Sequence, residues 1–367
     1  MKIFISCALF YPAKLGGPAN TLYWLAKGLV AKGHQVSVVS THEHIADTAI
    51  PFDEETMVDG INVIYSSSRY KLISHSYRVM RECDTVILSS VCYSPELILA
   101  VLAKRMNKPV IWSPRGEFTE SAIGGRKTKL AFFKLIKALV GKHVMFHGTS
   151  QDEECCIKRI LGDDVQTTII PNYMEIPEKQ QRSESCEPYF LFLGRIAPIK
   201  AIENLIKGAS LSKLFRQSNI KLKIAGGVEE QFRNYYETLQ SIVVENELQD
   251  KVKFIGEVSG IEKYQTYCDA QFLFLISKSE NFGNVVIEAL SQGTPVVASY
   301  GTPWVGLVEN HAGFWIDNSP EEISKTIDTI LTLSSNAYSQ YRQGALLYAD
   351  TFNIYSNTEK WEKVLSR

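Results

Sequence analysis

Short apolar runs recur along the chain, each followed by a segment with helical spacing. In the first half they are Ile3-Phe4-Ile5, Val36 to Val39, Val63 to Tyr65, Val86-Ile87-Leu88, Val110-Ile111-Trp112 and Val144-Met145-Phe146. Runs so rich in β-branched and aromatic residues predict strands of a parallel sheet covered on both faces. Between the first two, Leu22, Leu25, Ala26, Leu29 and Val30 fall at i, i+3, i+4, i+7 and i+8, one apolar helix face that stops near Gly33. After Ile169-Ile170-Pro171-Asn172, the stretch Glu175 to Pro188 turns polar and predicts an interdomain linker. The alternation then restarts with Tyr189 to Leu193, Leu222 to Ala225, Val252 to Ile255, Phe272 to Ile276 and Val296-Val297-Ala298. The pattern predicts an α/β chain of two doubly wound, Rossmann-like domains facing each other across a cleft.

Length and composition agree with two cores: 367 residues, 45% hydrophobic and 22% charged. A formal charge of -1 gives no global attraction for nucleic acid, so none is expected as a partner and any basic site must be local. Seven cysteines (Cys7, Cys83, Cys92, Cys155, Cys156, Cys186 and Cys268) lack Cys-x-x-Cys spacing, which fits a reducing cytoplasm and neither a disulfide framework nor a zinc site. The apolar start, Ile3 to Phe10, is too short to span a bilayer, and no run approaches eighteen apolar residues, so membrane contact would be peripheral.

Three segments carry candidate chemistry. Gly16-Gly17-Pro18, between the first strand and its helix, lets backbone N–H groups approach an anion, or is simply a tight turn. No Gly-x-Gly-x-x-Gly occurs, and Gly28 to Gly33 lacks the Lys-Ser/Thr of a phosphate loop, since His34 and Gln35 follow it. Gly194 to Lys200 follows the first strand of the second half, where doubly wound sheets hold ligands, and Arg195 with Lys200 offers a planar fork and a point charge for two phosphates. Ser279 to Leu290 sets Glu280 at a strand end and Glu288 on the following helix. Val285, Val286, Ala289 and Leu290 form the apolar stripe of that helix, Gly293 is its stop, and Glu288 falls outside the stripe. Carboxylates suit pairs of hydroxyls, although isolated glutamates are more often solvated helix charges.

Together these segments resemble the retaining glycosyltransferases of the GT-B fold, family four, in which two glutamates separated by seven residues mark the nucleotide-sugar site. The resemblance runs from Gly16-Gly17 and Gly33-His34-Gln35-Val36, through Ile170-Pro171-Asn172 and Gly194-Arg195 to Lys200, to Glu280, Glu288 and Gly293-Thr294-Pro295-Val296-Val297. It implies an acceptor-side domain over 1–172, a donor-binding domain over 173–349, and a C-terminal helix of about 350–367 packed back on the first. It implies that Arg195 and Lys200 bind the donor diphosphate, Glu288 the ribose and Glu280 the transferred sugar. Gly17 would approach the phosphate from the first domain, Gly226-Gly227 and Ile255-Gly256 would border the base, and Asn281, Phe282, Gly283 and Asn284 would complete the donor loop. Arg195, Lys200 and Glu280 would be the catalytic groups, with neither metal nor cofactor. The implied reaction moves a hexose or N-acetylhexosamine from a nucleoside diphosphate, UDP first and GDP second, to an acceptor hydroxyl with retention. Same-face attack is expected, because no second carboxylate is placed as acid/base partner to Glu280 for a double displacement. Ser279-Glu280-Asn281-Phe282-Gly283-Asn284 with Gly301-Thr302-Pro303-Trp304 looks like bacterial enzymes of surface polysaccharide synthesis (lipopolysaccharide, O-antigen or capsule), which suggests a glycan or lipid-linked oligosaccharide acceptor.

One departure concerns a histidine that many members carry in the first domain, where this chain reads Ser113-Pro114-Arg115-Gly116-Glu117. Arg115 either contacts sugar or phosphate, with Glu117 as a neighbouring acceptor contact, or pairs structurally with Glu117. From Arg126 to Lys142, basic residues fall largely on one side of a helix and Phe132, Leu135, Ile136, Leu139 and Val140 on the other. That pattern fits either peripheral docking on the anionic inner face of the cytoplasmic membrane or an ordinary core helix. His42 with His44, and His143 with His147, lack an acidic cluster that would complete a metal site. Ser150-Gln151-Asp152-Glu153 matches a capping box. A nucleotide-sugar 2-epimerase and a non-catalytic sugar-nucleotide-binding subunit are the alternative readings.

Overall fold

The computed structural model describes residues 1–13, 17–45, 50–183 and 187–366; Gly16 and Cys186 lie outside the described residues. The chain divides into two units, Met1–Glu175 with Asn353–Arg367, and Ile176–Phe352.

The first unit holds an eight-stranded sheet. Its strands are β1 (Lys2–Ser6), β2 (Gln35–Thr41), β3 (Glu55–Val58), β4 (Ile61–Ser66), β5 (Thr85–Ser89), β6 (Val110–Ser113), β7 (Val144–Gly148) and β8 (Gln166–Ile169), in the order β3-β4-β2-β1-β5-β6-β7-β8. Every neighbouring pair is parallel except β3 with β4. The second unit holds β9 (Tyr189–Leu193), β10 (Lys221–Ala225), β11 (Val252–Gly256), β12 (Phe272–Leu275), β13 (Val296–Ser299) and β14 (Gly313–Ile316), all parallel in the order β11-β10-β9-β12-β13-β14. Both are Rossmann-like, with helices covering strands such as β5 and β12 that are buried along their whole length. The strands that no apolar run announces are β3, β8 and β14, and all three lie at sheet edges, where residues such as Met57 stay exposed.

The C-terminal helix Ile354–Leu365 belongs to the first unit and packs on the helix Gly17–Ala31. The approach is close at Gly28, where a Cβ would stand 2.6 Å from Cγ1 of Ile354 and 2.7 Å from Oγ1 of Thr358. His34 Nε2 meets Glu362 at 2.8 Å on the same flank.

Two expectations need correction. The polar stretch 175–188 is not a free tether: Ser183 donates its N–H and Oγ–H to Asp269 at 2.7 and 2.9 Å, and the Gln180 N–H donates to Gln292 at 2.8 Å. These bonds, mainly from backbone N–H groups, satisfy the Asp269 and Gln292 side chains buried in the second unit, while most side chains of residues 178–183 face solvent. The helix Lys127–Val140 buries Phe133, Ile136 and Val140, whereas Leu135 and Leu139 are 47% and 40% exposed. The apolar residues therefore divide between core and solvent, and the two leucines share the outer face with Lys127 and Lys134. Among the described residues no helix is long and apolar enough to cross a membrane.

Candidate active site

The order of the second sheet reverses between β9 and β12, so the loops leaving these two strands open the crevice at which doubly wound sheets bind ligands. Arg195 and Lys200 lie in the first loop and Glu280 in the second. Beside them, β9 and β10 end in Gly194 and Gly226 at such close range that a Cβ on Gly226 would sit 1.8 Å from the Gly194 carbonyl oxygen. The Gly226 N–H donates to the carbonyl of Gly256 at the end of β11, at 2.7 Å. Three strand ends are thus stripped of side chains next to the two cations.

The loops are tied together by backbone and side chain. The Lys278 N–H donates to the Ile199 carbonyl and the Glu280 N–H to that of Gly301, both at 2.8 Å. Lys200 pairs directly with Glu280, and both side chains are largely buried. Lys278 reaches Glu203 at 2.8 Å, and the Tyr235 hydroxyl donates to the same carboxylate. Burial raises the Glu203 pKa, but hydrogen bonds from Lys278 and Tyr235 outweigh it and hold the carboxyl below its ordinary value. Arg195 pairs with Glu229 at 3.2 Å, but its side chain is 53% exposed, so this pair is weak and easily exchanged.

The helix Asn284–Ser291 begins at Gly283, whose φ of 84° and crowding by Leu275 Cδ2, 2.8 Å from a would-be Cβ, exclude a side chain. Phe282 buries its ring against Trp304 at 5.0 Å and Phe352 at 6.1 Å, so only its backbone is available to a ligand. Glu288 lies off the apolar stripe, yet it is 8% exposed, because the helix Gly260–Asp269 covers it. Lys263 Nζ donates to Glu288 Oε1 at 2.8 Å and the Tyr267 hydroxyl to Oε2 at 2.9 Å. Burial pushes the Tyr267 pKa well up, reinforced by Glu288.

In the first unit, Arg115 ends β6 in a left-handed turn, φ 56°, followed by Gly116 at 82°. Its Nη1 donates to Asn172 Oδ1 at 3.2 Å, while Nε and Nη2 are buried without a partner among the described residues. Glu117 is not its counter-ion. That carboxylate accepts from Ser90 Oγ at 2.6 Å and from the N–H groups of Val91 and Cys92, which fixes the loop after β5. Ser150 caps the helix Gln151–Leu161, but only half of the capping box forms. The Glu153 carboxylate accepts instead from the Thr149 and Gly116 N–H groups, at 2.8 and 2.6 Å. Gly17 is the exposed first residue of its helix.

The pattern of the glycosyl transferases group 1 family matches residues 174–346, the second unit with all of its candidate residues. Over its whole length the chain is 22% identical to the GDP-mannose:cellobiosyl-diphosphopolyprenol alpha-mannosyltransferase of Xanthomonas campestris, covering 95% of that protein. Its structure superposes on Anabaena HepE in complex with UDP and glucose with a TM-score of 0.77 at 18% identity, covering 100% of this chain and 99% of that one. The chain is a glycosyltransferase of the GT-B fold. An uncharacterized glycosyltransferase of Methanocaldococcus jannaschii is 32% identical over 148 residues, which span 40% of this chain and 36% of that protein.

In this glycosyltransferase sequence reasoning missed Lys263, Tyr267 and Glu229, which pair with candidate residues, and the Glu203–Lys278 pair between the two loops. Only one signal was available, the i, i+4 spacing that sets Lys263 and Tyr267 on one helix face. His143 and His147 serve structure. His143 Nε2 bonds the Lys108 carbonyl at 2.8 Å, and His147, 1% exposed, accepts from Ser113 Oγ and donates to the Ile170 carbonyl, both at 2.8 Å. Burial, helped by Arg115 and opposed by the Ile170 carbonyl, pushes the His147 pKa down to about 3 from 6.5. The unfolded chain therefore binds a proton that the folded one refuses. The stability from this residue is complete above pH 6.5 and is lost as pH falls toward 3, at about 1.4 kcal/mol per pH unit. Urea unfolding between pH 6.5 and 4.5 should show a shallower slope in His147→Gln than in the wild type; equal slopes would refute this source of acid lability.

Proposed function

We propose that the protein transfers a hexose or N-acetylhexosamine from a nucleoside-diphosphate sugar to a hydroxyl of a glycan or lipid-linked oligosaccharide, with retention at the anomeric carbon. The observation that carries this is the convergence of Arg195, Lys200 and Glu280 at the switch point of the second sheet, with Glu288 on the next helix. Lys200 has three N–H donors, so its bond to Glu280 leaves two for phosphate oxygens, and Arg195 can exchange Glu229 for the diphosphate. Glu280 holds hydroxyls of the transferred sugar, and Glu288 the ribose. The cations stabilise the departing diphosphate, one of whose oxygens takes the proton of the acceptor hydroxyl attacking from the same face.

HepE was solved with UDP, and the Xanthomonas relative is named for GDP-mannose and a diphosphopolyprenol acceptor, so UDP and GDP are both candidate donors and a lipid-linked acceptor is favoured. Residues 121–151 contain no aspartate or glutamate, and Leu135 and Leu139 stand exposed beside Lys127, Lys134 and Lys142. This face supports peripheral docking on an anionic membrane, where a lipid-linked acceptor is found. Arg115, with two unpartnered nitrogens, is a contact for an anionic group of the acceptor. The purified protein, incubated with a panel of UDP- and GDP-sugars and a lipid-linked oligosaccharide, should give a product whose anomeric configuration by NMR matches the donor. An inverted product, or an epimerised nucleotide sugar formed without acceptor, would overturn the assignment.

A further inference from the structure

Both oxygens of Glu288 are gripped from a single helix face. Lys263 Nζ and the Tyr267 hydroxyl, one turn apart on Gly260–Asp269, donate to Oε1 and Oε2 respectively. The three side chains are well removed from solvent: Lys263 is 21% and Glu288 11% exposed in their side chains, and Tyr267 is fully buried. Burial alone would lower the Lys263 pKa. The charge of Glu288, then Tyr264, more than offsets this, so the ammonium is held above its ordinary value and stays charged at neutral pH. Each carboxylate oxygen accepts about two hydrogen bonds, so one acceptor direction per oxygen remains. Two acceptors on neighbouring oxygens of a carboxylate that cannot turn match two hydroxyls on adjacent carbons.

We propose that Lys263 and Tyr267 are positioning residues that lock the Glu288 carboxylate for a vicinal diol, so that this triad distinguishes a ribonucleotide from its 2′-deoxy form. The inference rests on the assignment of Glu288 to the donor ribose. A carboxylate released from its lysine rotates or gathers water, and the second hydroxyl then adds nothing to binding. Lys263 acts only through Glu288, so its removal should do no harm once Glu288 is gone.

The test is calorimetric titration of the full chain with UDP, GDP and their 2′-deoxy forms, alongside thermal unfolding of each variant. The wild type should prefer the ribonucleotide about ten- to a hundredfold, the worth of one hydrogen bond to a charged group. Lys263→Met should reduce that preference to near unity, Lys263→Arg should retain most of it, and Lys263→Met on a Glu288→Gln background should cause no further loss. Tyr267→Phe, which keeps the packing, gives a partial loss and serves if Lys263→Met does not fold. If Lys263→Met and Tyr267→Phe keep the wild-type preference while Glu288→Gln loses it, the lock is wrong and the ribose assignment stands. If Glu288→Gln keeps the preference, both fall.

Discussion

Replacing Lys200 with alanine should lower kcat by about 10²–10³, equivalent to about 2.7–4 kcal/mol of barrier, while acceptor affinity changes little. The size follows from its place. Lys200 stands at the switch point of the second sheet, largely buried, in a loop fixed by the Ile199–Lys278 backbone bond and by the neighbouring Glu203, Lys278 and Tyr235. A charge so held needs no reorganisation when a diphosphate departs, and water cannot replace it at the same point. Its loss also leaves Glu280 without its cation, so under the proposed role of Glu280 part of the fall would come from a sugar contact that has become mobile. Steady-state kinetics with donor and acceptor varied separately distinguish these effects. A kcat within threefold of the wild type would remove Lys200 from the chemistry. Arg195→Ala should cost less in the folded protein, since its pair with Glu229 is half exposed.

The second large effect is structural. A methyl group on Gly226 would lie 1.8 Å from the Gly194 carbonyl oxygen and 2.9 Å from its carbon, and a backbone carbonyl at a strand end cannot move aside as a side chain can. Gly226→Ala should therefore force β9 and β10 apart at their carboxyl ends, destabilising the second unit by about 4 kcal/mol or more and abolishing nucleotide binding. Gly227→Ala is the control, because its Cβ would meet nothing nearer than the Glu257 carboxylate at 3.5 Å. Thermal unfolding of the two variants checks this directly. Equal stability would mean that the strand ends can separate at little cost.

Much of this was legible from the chain because strand ends and glycines leave strong local marks. Central strands such as β1, β5, β9 and β12 announce themselves as unbroken apolar runs, since both faces are covered. The edge strands β3, β8 and β14 do not, because each has a neighbour on one side only and is at most partly buried, so no unbroken apolar run is required of it. In the site, Arg195, Lys200, Glu280 and Glu288 were visible as residues, but their partners were not. Glu288 looked like a helix charge off the apolar stripe. It is buried because a second helix brings Lys263 and Tyr267 over it, a meeting that no window of sequence contains. Leu135 and Leu139 erred in the opposite direction. Their spacing placed them with Ile136 and Val140, but a helix with so many apolar residues has more than one apolar side, and only Phe133, Ile136 and Val140 meet the core. The 175–183 stretch misled through composition: its side chains are polar because most face solvent, while its backbone N–H groups at Gln180 and Ser183 bond the second unit at Gln292 and Asp269.

The central claim is that a nucleoside diphosphate binds at the carboxyl ends of β9 and β12. Thermal unfolding of the wild type and of Lys200→Ala, with and without UDP or GDP, tests it most directly. At about a hundred times the dissociation constant, bound nucleotide should stabilise the wild type by about 2.7 kcal/mol, a rise of roughly 5–10 °C in Tm, and the same concentration should move Lys200→Ala much less. No shift with either nucleotide, or equal shifts in both proteins, would contradict the account.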